Sequence, residues 1–152
     1  LVMAYQAPVL NDVAAGQVEE WELYALDVLS ETLDGGASAR LTKNLVRGRE
    51  LASHVGAGYS AAARSTTRVY FSGVPRYGIS LSDLAAAIFE EIEALKTAPP
   101  AADELERIKT SVVADSVYEL DSMQHQAIIV GSLESIGLDW RLNDTYVDKF
   151  AR

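Results

Sequence analysis

The stretch Asp34-Gly-Gly-Ala-Ser-Ala-Arg-Leu-Thr-Lys-Asn-Leu-Val-Arg-Gly-Arg-Glu-Leu-Ala52 decides how this chain is organised. Gly35 and Gly36 follow an apolar helical pattern and stop it, because glycine accepts the left-handed backbone that a helix end needs. Ser38 is placed to cap a second helix through its hydroxyl. In that helix Arg40, Lys43 and Arg47 recur at steps of three and four, which puts them on one face. With Arg49 they make a basic patch in a chain whose net charge is −9. The unit reads as helix, glycine turn, helix.

Upstream, Val18, Trp21, Ala25, Val28, Leu29 and Leu33 fall at helical spacing and predict a buried face, with a cap region at Asn11-Asp12. Residues 1–7 are apolar and β-prone and stop at Pro8, which predicts a strand. Downstream, Val55, Ala57, Tyr59, Ala61 and Ala63 alternate with His54, Gly56, Gly58, Ser60 and Ala62, the period of a strand. A polar turn at 64–67 joins it to a second strand, 68–74, as an antiparallel hairpin. Ser80 or Ser82 opens a third helix that buries Leu81, Leu84, Ala85, Ile88, Ile92 and Leu95 and breaks at Pro99-Pro100. Asp103, Glu104 and Glu106 favour a helix start, and Leu105, Ile108 and Val112 begin its buried face. Two more helical segments follow, at 122–135 and 141–150. This order predicts an α+β class: a two-layer domain with a mainly antiparallel sheet and helices packed on one face.

A chain of 152 residues, 49% hydrophobic and 23% charged, fits a single domain with a real core. Leu1 in place of an initiator Met, opening directly on a strand, reads as the cut edge of a domain excised from a longer protein. The net charge of −9 argues against nucleic acid and anionic membrane as partners, since both are negative. No apolar run approaches the ~18 residues of a membrane span. The absence of cysteine excludes disulfides, thiol nucleophiles and thiolate zinc sites.

Catalytic constellations are not visible. There is no Gly-x-Ser-x-Gly elbow, and Ser38 is accounted for as a cap. Gly35-Gly36 before a helix lacks the Gly-Lys-Ser/Thr ending of a phosphate loop. The acidic pairs Glu19-Glu20, Glu90-Glu91 and Asp103-Glu104 sit at the edges of amphipathic patterns, as solvated helix faces do. His54 and His125 are the only histidines and lie in no metal-binding spacing. Trp21, Tyr24, Tyr59, Tyr70 and Phe71 read as packing residues. The glycines and alanines of 55–61 leave room for close backbone approach, so this strand is a candidate edge for adding an extended peptide.

Five segments taken together, "LVMAYQAP", "GGASARLTKNLVRGRELA", "SHVGAGYSAAA", "DELERIKTSVVADSVYELDSM" and "QAIIVGSLESIGLDW", resemble a known family in order and spacing. The likeness is to the second, non-catalytic domain of two-domain bacterial members of the pitrilysin/insulinase family of zinc metallopeptidases. It implies a fold of the mitochondrial-processing-peptidase type. It also implies a parent metalloendopeptidase acting on peptides or small unfolded proteins, with a homologous catalytic domain or subunit as partner. Zinc would sit on the His-x-x-Glu-His of that other half; this chain lacks the motif, so no catalytic residue, metal ligand or cofactor of its own is assigned. In active members an Arg in an "LVREKGLAYS"-like segment, and a Tyr after it, reach the substrate. Arg47 matches the Arg, Ser53 stands at the Tyr position, and His54 follows it. Arg47, Ser53 and His54 are therefore the substrate-binding candidates. The loss of the Tyr equally fits a degenerate structural module of the same fold. Likeness to exported members implies a bacterial periplasmic setting.

Overall fold

The computed structural model describes residues 1–119 and 121–150. The predicted hairpin supplies the central strand and one edge of the sheet. Strand β1 is Val2–Ala7, β2 is Ala52–Gly58 and β3 is Thr67–Pro75, in the spatial order β1-β3-β2 with both pairings antiparallel. Alternation sorts β3 into two faces. Val69 and Phe71 are buried on one, while Tyr70 and Val74 are 47% and 54% exposed on the other. Register sets Val55 and Ala57 of β2 beside Gly73 and Phe71, and Met3 and Tyr5 of β1 beside Phe71 and Val69.

The helices are α1, Leu10–Ala14; α2, Glu20–Asp34; α3, Leu81–Thr97; α4, Ala102–Glu119; α5, Met123–Ser135; and α6, Leu142–Phe150. Of these α2 and α3 pack on the first sheet face, while α4 packs against α2 and α6 against α4. A π-helix, Thr42–Gly48, lies between α2 and β2. The core joins Leu33 of α2, Leu41 and Leu45 at the π-helix, Val55, Val69 and Phe71 of the sheet, and Leu84 and Ile88 of α3. Each large apolar side chain withdrawn from water here contributes roughly 1.5–3 kcal/mol. The second sheet face is bare: Val2, on it with Tyr70 and Val74, is 73% exposed. The expected two-layer α+β architecture is therefore present.

Several local expectations are corrected. The buried line of α2 runs through Leu23, Ser30 and Leu33, with Leu26 and Leu29 packed beside the core. Trp21 is 68% exposed, because a step of two residues from Leu23 turns it to the far side of the helix. Leu81 is likewise 56% exposed at the first turn of α3, whereas Leu84 and Ile88 are fully buried. Of the two serines, Ser80 is the cap, accepting the Asp83 N–H at 3.1 Å.

Strand β2 ends at Gly58 rather than continuing to 63. Beyond it the backbone leaves the sheet: the Ala61 carbonyl accepts the Leu10 N–H, and the Tyr59 hydroxyl donates to the Pro8 carbonyl. The segment after the glycine turn is mainly a π-helix, begun without a side-chain cap, so Ser38 does not play the expected part. Its wider turn closes with the Arg49 N–H donating to the Asn44 carbonyl at 2.7 Å.

Candidate functional site

Each glycine of the opening turn has its own reason. Gly36 sits at φ 96°, in the left-handed region. Gly35 has φ −72°, which any residue adopts, but a Cβ there would strike the Glu31 carbonyl oxygen. Past the π-helix, Glu50 also lies in the left-handed region, at φ 55°. Glu50 pairs with Arg76 at 3.1 Å.

The basic stripe lines a groove between the π-helix and the α3–α4 junction, with Glu91 and Glu104 on the opposite wall. Arg40 is spent structurally: it donates to both carboxylate oxygens of Glu104, at 2.7 and 3.1 Å, and to the Ala98 carbonyl at 2.8 Å. This paired geometry holds the Glu104 carboxyl below its ordinary range and raises the Arg40 guanidinium. Asn44 donates to Glu91 and Arg49 to Glu90. Arg47 makes one bond, to the Ala37 carbonyl across the glycine turn. Its remaining donors and the exposed Lys43 have no partner among the described residues.

Ser53 and His54 lie at a register shift of β2, where pairing jumps from Ala52↔Pro75 to His54↔Val74. Such an irregularity re-aims side chains, and both residues are exposed. The Ser53 hydroxyl donates to the Val74 carbonyl at 3.2 Å. His54 lies on the bare face: a Cβ on Gly56 would be 3.8 Å from its Nε2 and 3.0 Å from Ser72 Oγ. Arg47 lines the helix-side groove and shares no hydrogen bond or cavity with Ser53 or His54 among the described residues. The three candidates are close in sequence but divided between the two layers.

Strand β2 is an outer strand, as a site for strand addition requires. Part of its edge is already used, since the Ala57 N–H donates to the Asp34 carboxylate at 3.1 Å. Gly58 is roofed by its cross-strand partner: a Cβ there would lie 2.6 Å from the Tyr70 hydroxyl oxygen.

Zinc does not fit the donors described. Among the described residues no group of three or more His, Asp or Glu converges as a metal site would require. His54 stands on the bare sheet face, while His125 sits on α5 and contacts Glu119 at 3.1 Å.

One cluster escapes the sequence reading. Asp27 of α2 accepts the Tyr146 hydroxyl of α6 at 2.5 Å, and the Tyr24 and Tyr146 rings lie 5.5 Å apart. Burial pushes the Asp27 carboxyl up to about 6; the Tyr146 bond acts against this and Glu31 reinforces it. The Tyr24 phenol is raised to about 12 by burial and then by Glu20, and Tyr146 is raised further for similar reasons. The only local signal was Tyr24, Asp27 and Glu31 at steps of three and four. Tyr146, 119 positions away, gave none.

A helix-backed antiparallel sheet with one open face defines the class, a two-layer α+β domain. Residues 3–112 match the family model described as "Peptidase M16 inactive domain", and the chain belongs to that family. A protease from Helicobacter pylori has a similar fold, with a TM-score of 0.84 and 23% identity over 99% of this chain and 34% of its own. The inactive peptidase domain of a protein assigned as a zinc protease, from Bordetella parapertussis, superimposes with a TM-score of 0.78. It is 19% identical over 98% of this chain and 75% of its own. The chain thus spans about a third of the Helicobacter protein's length and three quarters of the Bordetella domain. No curated protein sequence matches it.

Proposed function

We propose that the chain is the non-catalytic, substrate-facing wall of a zinc-dependent metalloendopeptidase that cleaves peptides or small unfolded proteins. Membership of an inactive-domain family fixes the class. The observation that carries the finer reading is the bare sheet face, since half of a closed chamber needs one uncovered surface. His54, Ser72, Tyr70 and Val74 lie on that face and offer an extended chain both polar and apolar contact. Zinc and the proton-transferring carboxylate belong to a homologous catalytic half, in this reading within the bacterial periplasm.

The family resemblance assigns Arg47 to orient substrate; it lines the helix-side groove, so its contact is separate from those offered by the bare face. Its free N–H donors suit a peptide carbonyl or carboxylate. In the assembled peptidase, Arg47→Ala is expected to lower kcat/KM about 10- to 100-fold, the loss of a charged hydrogen bond worth ~1.5–3 kcal/mol. Zinc content should not change. A kcat/KM equal to that of the unmodified enzyme removes Arg47 from the mechanism.

A second reading, a structural module whose parent has no peptidase activity, is favoured by Ser53 at the tyrosine position. Peptidase activity in the assembled parent excludes it.

A further inference from the structure

Between α2, α6, α5 and the segment after β2 lies a cavity of about 270 Å³. Its walls carry three phenols, Tyr24, Tyr59 and Tyr146, the Asp27 carboxylate, and apolar Ile129 and Leu133. The volume is below the roughly 300–1,000 Å³ of drug-sized sites and suits a single long side chain. Exposed Ser60 and Ala62 lie at its margin.

The charge balance selects the ligand. Asp27 is withdrawn from water and faces no cation among the described residues; it has only the Tyr146 hydroxyl. The nearby cation, Lys149, is held by Glu20 at 2.6 Å. An adjoining groove shares Ile129, Asn143 and Tyr146 with the cavity and adds Glu31, Asp115 and Glu119. Its one base, His125, is paired with Glu119. Phenol rings present negative faces to a cation within about 6 Å, and a desolvated carboxylate supplies a full opposite charge. Lys149 is the one cation on the cavity wall among the described residues and Glu20 holds it, so an anion would meet Asp27 and Glu20 with no free counter-charge.

We propose that this cavity binds the ammonium or guanidinium head of a Lys or Arg side chain carried by a peptide. The cation pairs with Asp27 from the cavity side of the contacting Tyr24–Tyr146 ring pair, against the ring faces rather than between them, while the alkyl stem lies against Ile129 and Leu133. The site is independent of the chamber proposed above and stands or falls separately from it.

The test is calorimetric titration of the 152-residue chain with Nα-acetyl-lysine amide, Nα-acetyl-arginine amide, n-butylamine and the neutral isostere Nα-acetyl-norleucine amide. Saturable binding of a cationic amide is expected, at least about tenfold tighter than the norleucine compound. Butylamine is expected to bind more weakly than the lysine amide, which separates a peptide side chain from a free amine. Asp27→Asn should weaken cation binding at least about tenfold, and Tyr24→Leu should weaken it severalfold, both with an unchanged far-UV circular dichroism spectrum. Equal binding of norleucine amide, butylamine binding as tight as the lysine amide, unaltered binding by Asp27→Asn, or no saturation by either cationic amide overturns the proposal.

Discussion

Asp27→Asn is expected to stabilise the chain at pH 7 by about 3 kcal/mol and to remove most of a stability loss that the unmodified chain shows as pH rises from about 4 to 6. The direction follows from the raised carboxyl. An unfolded Asp loses its proton near pH 3.9, whereas the folded one keeps it until about 6. Between those values the native state holds more protons than the unfolded state, so raising pH favours unfolding. Above about 6 both states are ionised and the penalty is constant. Asparagine cannot ionise, yet it retains a carbonyl oxygen for the Tyr146 hydroxyl. Glu31, also raised by burial and by Asp115, contributes a residual slope of the same sign. Urea denaturation at pH 4, 5, 6 and 7 measures the effect. Superimposable profiles for the two proteins would mean that Asp27 is not desolvated as the structure has it.

The second large effect is expected at the opening turn. Gly35→Ala should cost about 2–3 kcal/mol, at the upper end of ordinary single substitutions. The Gly35 N–H already donates to the Glu31 carbonyl at 2.7 Å, and a methyl group on its Cα would be driven into that same oxygen. Relief requires unwinding the last turn of α2, and with it Leu33 and Asp34, which hold the core and the Ala57 edge of β2. Gly36→Ala meets no atom within 4 Å and suffers only from its positive φ, so it should cost less, about 1 kcal/mol. Thermal denaturation of both variants gives the comparison. A Gly35→Ala protein as stable as the parent would refute the collision.

The layers were legible because their signals are local. The β-prone run 68–74 ending at Pro75 marked β3, the glycine pair marked the end of α2, and the serines Ser80 and Ser82 marked the start of α3, of which the structure uses Ser80. What was lost depends on geometry that spacing does not encode. A helical wheel gives Trp21 and Leu23 equal claim to the core, and only the position of the sheet chooses Leu23. The π-helix was invisible because Leu41 and Leu45 repeat at four, as they would on an α-helix. The same limit applies to the sites. Arg47, Ser53 and His54 are neighbours in sequence, but the chain enters the sheet between them and separates helix layer from bare face. Asp27 and Tyr146 are far apart in sequence and meet. Family likeness supplied the first set, and the folded chain supplied the second.

The central claim is that the metal chemistry of the parent peptidase resides outside this chain. Zinc equilibrium dialysis of the purified 152-residue chain, read by elemental analysis, tests it most directly. The expected result is well below one equivalent retained at micromolar free zinc, unchanged when His54 and His125 are both replaced. One equivalent held tightly, and lost with either histidine, would contradict the account.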